Sequence, residues 1–142
     1  MSPAPIGIHR ISETNAEILG QVAEDVFDDD IDPTRLSAYL RSSERLLVVA
    51  VADKRVIGQV AAYIHLHPDR AADLYVDNLG VTPAFQRRGI ARRLIDEVFA
   101  WGKTLGCGQA WIVTETDNDA ARALYEKHGA TAEPIVMFSY AL

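Results

Sequence analysis

The change of hydrophobic period at Gln86 most constrains how this chain can fold. Beyond it, Ile90, Leu94, Val98, Trp101 and Leu105 are spaced by four, four, three and four, which is one face of a helix. The stretch before it, 74–81, and the stretch after the helix, 109–114, both read as strands, with Gly106 and Gly108 ending the helix between them. Strand, long helix, strand is a crossover unit, and it predicts two parallel strands in one sheet.

Upstream, two Val/Ile/Ala-rich runs at 46–52 and 55–65 flank the polar turn Ala52-Asp53-Lys54-Arg55 and predict an antiparallel hairpin. Apolar residues at Ile11, Ile18, Leu19, Val22 and Val26 suggest a helix over 12–26, with Ser12 or Thr14 as its cap. The acidic stretch from Asp28 to Asp32 interrupts that pattern. Pro33 then suits the first turn of a short helix carrying Leu36, Tyr39 and Leu40. Toward the other end, a helix over 119–128 stops at Gly129 and a final strand is expected over 135–140. The expected order is α-α-β-β-β-α-β-α-β. This is an α/β fold with a mixed, mostly antiparallel central sheet, helices on both faces and a βαβ crossover, in one domain spanning 1–142.

With 142 residues, 49% hydrophobic and 24% charged, the chain can bury a real core, and its composition argues against disorder. No apolar run approaches the roughly 18 residues of a membrane span. Met1-Ser2-Pro3-Ala4-Pro5 lacks the basic start and apolar stretch of a secretory leader. The single cysteine, Cys107, cannot form an internal disulfide, so a cytoplasmic location is expected. A net charge of -6 opposes nucleic-acid binding. The charge is also sorted. Glu24, Asp25, Asp28, Asp29, Asp30 and Asp32 crowd one segment, while Arg87, Arg88, Arg92 and Arg93 crowd another. One region suits a cation and the other an anion.

Gln86-Arg87-Arg88-Gly89-Ile90-Ala91 lies where strand gives way to helix. Gly89 lets backbone approach a ligand, Ala91 keeps the next turn small, and the helix start turns free N–H groups toward an anion. Arg87 and Arg88 add charge for a second phosphate. Such a loop can cradle a pyrophosphate, or it can simply be a tight turn with solvated arginines. It lacks the spaced glycines of a dinucleotide fingerprint and the Gly-Lys-Ser/Thr of a triphosphate loop.

One strand and one helix later comes Asn118-Asp119-Ala120-Ala121-Arg122-Ala123-Leu124-Tyr125-Glu126-Lys127-His128-Gly129. Together with the Gln86–Ala91 loop and Leu79-Gly80-Val81-Thr82-Pro83, this run resembles the GNAT superfamily of acyl-coenzyme A N-acetyltransferases, from about residue 46 onward. The resemblance implies acetyl-CoA as co-substrate, no metal, and a homodimer as an option that relatives often adopt. It implies that the backbone of Leu79, Gly80 and Val81 holds the pantetheine and polarises the thioester carbonyl. It implies that Gln86 to Ala91 take the pyrophosphate and that Asn118 meets the coenzyme arm. Tyr125 would protonate the departing thiolate, a suitable acid because phenol and thiol have pKa values of roughly 10 and 8.5. Outside that motif, Tyr125 would read as a ring packed on a helix face. Asp77 is the candidate to take the amine proton, directly or through water. In some relatives the acid instead occupies the position of Asn78, and strand alternation puts the two on opposite faces unless a bulge intervenes.

The small aminoglycoside 3-N-acetyltransferases of the gentamicin and fortimicin type share Tyr39-Leu40-Arg41-Ser42, Gly58-Gln59-Val60-Ala61-Ala62-Tyr63, Leu74-Tyr75-Val76 and Arg87-Arg88-Gly89-Ile90-Ala91 with this chain. The resemblance implies a polycationic small-molecule acceptor. Asp28, Asp29, Asp30 and Asp32, with Glu115, Asp117 and Asp119 across the cleft and Asn78 between, are the residues expected to receive it. Taken singly, each acid could equally be a solvated loop residue. His65 and His67 on one strand face are two imidazoles without a third ligand in the sequence nearby, and read as a pair at the hairpin's edge. Cys107 reads as a small half-buried thiol, and Trp101 and Trp111 as core.

Overall fold

The computed structural model describes residues 5–142. Residues 1–4 of the stretch examined for a secretory leader fall outside that range. Strands β1 (Gly7–Ile11), β2 (Arg45–Ala52), β3 (Arg55–His65), β4 (Asp73–Val81) and β5 (Gln109–Ile112) lie side by side in that order in one sheet. The first four pair antiparallel, and β5 runs parallel to β4. Helix α1 (Pro33–Arg41) precedes the hairpin, α2 (Ile90–Thr104) spans the crossover, and α3 (Asp119–Lys127) follows β5. The mixed α/β sheet and the crossover are therefore as expected. No helix among the described residues is long and apolar enough to cross a membrane.

Leu46, Leu47, Val48, Val49 and Ala50 of β2 are all buried, the unbroken apolar run of a strand covered on both faces. On one face, α2 buries Ile90, Leu94, Ile95, Val98 and Gly102. Gly102 allows close packing, since a Cβ there would lie 3.0 Å from Leu74 Cδ2. Gly58 turns toward Ile90 and Leu94, so its neighbour Gln59 faces the opposite side, where the Val26 segment lies.

Two expectations fail. Of the helix expected over 12–26, only a 3-10 turn at Ala16–Gly20 forms, after β1 ends at Ile11. Local hydrogen bonds compete with a helix there: Ser12 N–H donates to Asn15 Oδ1 at 2.7 Å, and Asn15 Nδ2 donates to the Arg10 carbonyl at 2.9 Å. The sheet then pulls residues 21–23 straight. Ala23 N–H donates to the Val56 carbonyl and Val56 N–H to the Gln21 carbonyl, both at 2.9 Å. The strand expected over 135–140 does not form either. Residues 130–142 have no regular structure, and their large apolar side chains are exposed. A strand exists only against an edge that satisfies its backbone, and within the described chain no edge meets this one.

Candidate active site

The chemistry centres on a fault in β4. Asn78 stands opposite Ala61 of β3 and Val76 stands opposite Ala62, which leaves Asp77 as the extra residue of a bulge. The bulge overrides simple alternation, so Asp77 is exposed while Val76 is buried and Asn78 half-buried. Beyond this point the sheet splits. The pairing of β4 with β5 covers only Asp73–Val76 against Gln109–Ile112. The β4 edge from Asp77 to Val81 therefore lacks a strand partner on that side, and its backbone groups there are available to a ligand. Gln86 Nε2 donates to the Val81 carbonyl at 3.0 Å, tying the following loop to this edge.

That loop departs from ordinary backbone twice. Arg87 has φ 63° and Gly89 has φ 76°, with α2 starting at Ile90. Left-handed residues in such a turn make consecutive N–H groups converge into an anion-binding concavity, here continuous with the helix start. Gly89 caps α2 without a side chain, and nothing lies within 4 Å of where its Cβ would be. Ile90 is buried, so it can offer only its backbone to a ligand. Arg87 and Arg88 are exposed, with Arg88 Cζ 5.0 Å above the Phe85 ring. Strain retained at a non-glycine residue beside an open, cationic concavity is an arrangement that fits a pyrophosphate.

On the other side of β4, the segment before α1 lies directly on the strand. A Cβ at Gly80 would meet the Val26 carbonyl oxygen at 2.4 Å, so this face of Gly80 is taken up by chain packing. Gln59, wholly buried, donates from Nε2 to the Val26 carbonyl at 3.2 Å and to Asn78 Oδ1 at 2.6 Å. Asn78 Nδ2 in turn donates to Asp28 Oδ2 at 3.4 Å. A continuous polar chain thus joins the acidic segment to the strand next to the bulge. Gln59 Oε1 is buried without a partner. Sequence reasoning placed Gln59 within a shared stretch and gave it no role; a polar residue in an otherwise apolar strand run was the available signal.

The other acids divide. Asp29 and Asp30 are exposed beside Asp28. Asp32 caps α1, its Oδ1 accepting from Arg35 N–H at 2.8 Å. Glu115 and Asp117 are exposed in the turn before α3, with Asn118 N–H donating to the Glu115 carbonyl and Asp119 N–H to the Asp117 carbonyl. Asn118 itself caps α3, accepting from Ala121 N–H at 3.1 Å, which leaves its Nδ2 donor for a ligand. Tyr125 borders an apolar cavity of about 340 Å³ with Leu74, Ile95, Phe99, Ile112 and His128. Burial raises its phenol above the usual value.

Two tyrosines to which the sequence reading gave no site role feel the charge of Asp77. Burial, reinforced by the Asp77 carboxylate and opposed by Arg45, pushes Tyr39 up to about 12. Its hydroxyl donates toward the Leu46 and Ala62 carbonyls, at 3.0 and 3.3 Å. Burial and then Asp77 also raise Tyr75. Tyr75 packs against Trp111 with ring centroids 4.2 Å apart, and against Tyr63 at 5.1 Å. Trp111 is therefore a partly exposed member of an aromatic row, 38% accessible, and not the core residue expected. Asp73 does join His65 and His67, all three offering ligand atoms within 4.8 Å of one another. Its Oδ2 is already engaged by His67 Nε2 at 3.1 Å and Arg70 Nη1 at 3.4 Å.

Residues 9–130 match the model of the acetyltransferase (GNAT) family. The chain belongs to the GNAT acetyltransferase family. It is an acyltransferase, and acetyl-CoA is the donor that GNAT acetyltransferases use. Among relatives, it is 30% identical to the N-alpha-acetyltransferase RimI of Mycobacterium tuberculosis over 127 residues, 88% of this chain and 78% of that protein. It is 27% identical to an aminoglycoside N(6')-acetyltransferase type 1 of Salmonella typhimurium over 112 residues, 71% of this chain and 77% of that protein. In fold it resembles an aminoglycoside acetyltransferase from an uncultured soil metagenomic sample, solved with sisomicin. That match has a TM-score of 0.83 at 20% identity and covers 96% of each chain.

Proposed function

We propose that this GNAT acetyltransferase, acting as one domain over residues 1–142 in the cytoplasm, acetylates an amine of a polycationic small molecule, an aminoglycoside. The observation that carries this reading is the chain Gln59–Asn78–Asp28. It fastens a carboxylate-rich segment, with Asp29 and Asp30 exposed beside it, next to the bulge at Asp77. A cluster of carboxylates lowers the cost of bringing a multiply charged amine out of water and draws it to the site. The aminoglycoside acetyltransferases among the relatives and fold neighbours support the same class.

The chemistry follows from this arrangement. The loop from Gln86 to Ala91 receives the pyrophosphate, and Arg87 and Arg88 neutralise it. Leu79, Gly80 and Val81 line the open edge of β4, where backbone donors hold the pantetheine and steady the thioester oxygen as charge develops on it. Asn118, capping α3, meets the coenzyme arm. The acceptor amine gives its proton to Asp77, directly or through water. Its nitrogen then bonds to the acetyl carbon, the carbon–sulfur bond breaks, and Tyr125 supplies a proton to the departing thiolate.

The relation to RimI favours a second reading, acetylation of a protein N-terminus. Release of coenzyme A thiol from acetyl-CoA, followed with gentamicin, spermidine, a lysine peptide and an alanine-initiated peptide, separates the two. Release with gentamicin, suppressed when Asp28, Asp29 and Asp30 are changed to Asn, supports the aminoglycoside reading. Release with the alanine-initiated peptide alone transfers the assignment to protein N-termini. Which amine is modified is read from the product by NMR. The stretches shared with 3-N enzymes favour N3, whereas the name of the Salmonella relative carries N6'.

A further inference from the structure

The histidine pair His65 and His67 gains in the fold the third ligand that the sequence around it lacks. β3 ends at His65 and β4 opens at Asp73, and the antiparallel register sets these two residues opposite each other. The connection 66–72 brings His67 to the same place, its ring centroid 4.3 Å from that of His65. One ligand atom from each of the three side chains lies within 4.8 Å of the other two. Asp73 is a buried acid beside the buried apolar Leu74, and a carboxylate so placed needs compensating charge.

Two imidazoles and a carboxylate make a donor set of two nitrogens and one oxygen, which suits borderline divalent ions, zinc foremost. Around a tetrahedral zinc with ligands at about 2.0–2.2 Å, neighbouring ligand atoms stand about 3.3 Å apart. His67 Nε2 and Asp73 Oδ2 are 3.1 Å apart. Their side chains are only 11% and 7% exposed, so two of the three ligands are already held near that spacing. His65 is exposed and free to turn its ring to close the set. The competing cation is Arg70, whose Nη1 lies 3.4 Å from Asp73 Oδ2. Its side chain is 54% exposed and can swing into water when an ion takes its place.

We propose that His65, His67 and Asp73 bind one zinc ion, with water in the fourth position, and that the ion ties the 66–72 connection to the sheet. Asp73 precedes Asp77 by four residues, about 13 Å along the strand, so the ion takes no part in acetyl transfer and braces the opposite end of β4. It joins the end of β3 to the start of the strand that carries the bulge. A site with three protein ligands, one of them exposed, binds more weakly than a closed four-ligand zinc site, and a Kd of about 1–10 µM is expected.

Calorimetric titration of the chelator-treated full chain with zinc chloride tests this, with melting followed in the same buffers. One ion per chain is expected, and a Tm raised by about 5–10 °C at a free zinc concentration about a hundredfold above Kd. Asp73→Asn and His65→Ala should each weaken binding at least about tenfold. His65 is exposed, so His65→Ala should keep the metal-free Tm of the wild type. His9→Ala, on the edge strand β1, should bind zinc as the wild type does. Bound zinc should also slow hydrogen exchange at the amides of 66–72. Binding weaker than about 100 µM would mean an adventitious ion only, and binding that survives His65→Ala undiminished would mean a site elsewhere; either overturns the proposal. If Asp73→Asn does not fold, His65→Ala decides. Exchange at 66–72 that bound zinc leaves unchanged overturns the bracing role.

Discussion

The seat of the acidic segment on β4 can be tested at a single methyl group. In Gly80→Ala the new Cβ would lie 2.4 Å from the Val26 carbonyl oxygen, 3.2 Å from its carbon and 3.3 Å from the Asp25 carbonyl oxygen, all of them backbone atoms. Real Cβ atoms essentially never approach closer than 3.0 Å, so the Val26 backbone must retreat by at least 0.6 Å, the difference between 2.4 and 3.0 Å. Overpacking of this kind costs about 1–3 kcal/mol. The same retreat stretches the 3.2 Å bond from Gln59 to Val26, and its loss adds about 1 kcal/mol. Together they predict a destabilisation of about 2–4 kcal/mol, or a Tm lower by about 6–12 °C for a chain of this size. Gly89→Ala is the control. It meets no atom within 4 Å and carries only the penalty of a positive φ, about 1–2 kcal/mol, or about 3–6 °C. Differential scanning calorimetry of the two variants gives the comparison. A Gly80→Ala protein that melts with the wild type, or no lower than Gly89→Ala, would show that Val26 does not rest on β4 and that the acidic segment is not fastened where described.

Three further outcomes are expected. Arg87→Gly removes a side chain from a left-handed residue, so it should raise Tm by a few degrees while weakening acetyl-CoA binding severalfold by calorimetric titration; unchanged affinity would remove Arg87 from the anion site. The Asp73 carboxyl is held below its usual 3.8 chiefly by its hydrogen bond with His67, so the stability it contributes is present above that value and is lost as pH falls through the lowered one. The Tm gap between wild type and Asp73→Asn should therefore be open at pH 6 and close below about pH 4, and a gap that stays constant with pH would refute the pairing. Tyr125 is raised by burial, so its phenol stays protonated beyond the ordinary tyrosine range and no loss of kcat from its ionisation should appear below about pH 10. Tyr125→Phe should lower kcat at least tenfold with little change in the KM for acetyl-CoA, and an unaltered kcat would remove it as the acid.

Much of this was legible in the residues. The switch of period at Gln86 announced the crossover because a buried helix face and a strand leave different spacings in a sequence, and nothing distant is needed to read them. The hairpin turn at Asp53 and Lys54 was legible for the same reason, both residues taking positive φ in a tight turn. The loop from Gln86 to Ala91 carried its chemistry in its composition. A glycine, two arginines and a helix start are local facts, and the structure adds the left-handed Arg87 that makes the concavity.

What remained hidden depended on partners far away in sequence. The short β1 and the straightened residues 21–23 exist because β2 and Val56 offer them backbone groups, against the helical spacing of Ile18, Leu19 and Val22. The bulge that exposes Asp77 depends on the register between two strands, and no property of residues 73–81 taken alone specifies it. The role of Gln59 appears only when β3, β4 and the segment before α1 come together, because a buried amide is defined by what surrounds it. The apolar run 135–140 shows the limit most clearly. Sequence alone specified a strand's composition, but a strand also needs an edge to pair with, and only the tertiary arrangement determines whether one chain can supply it.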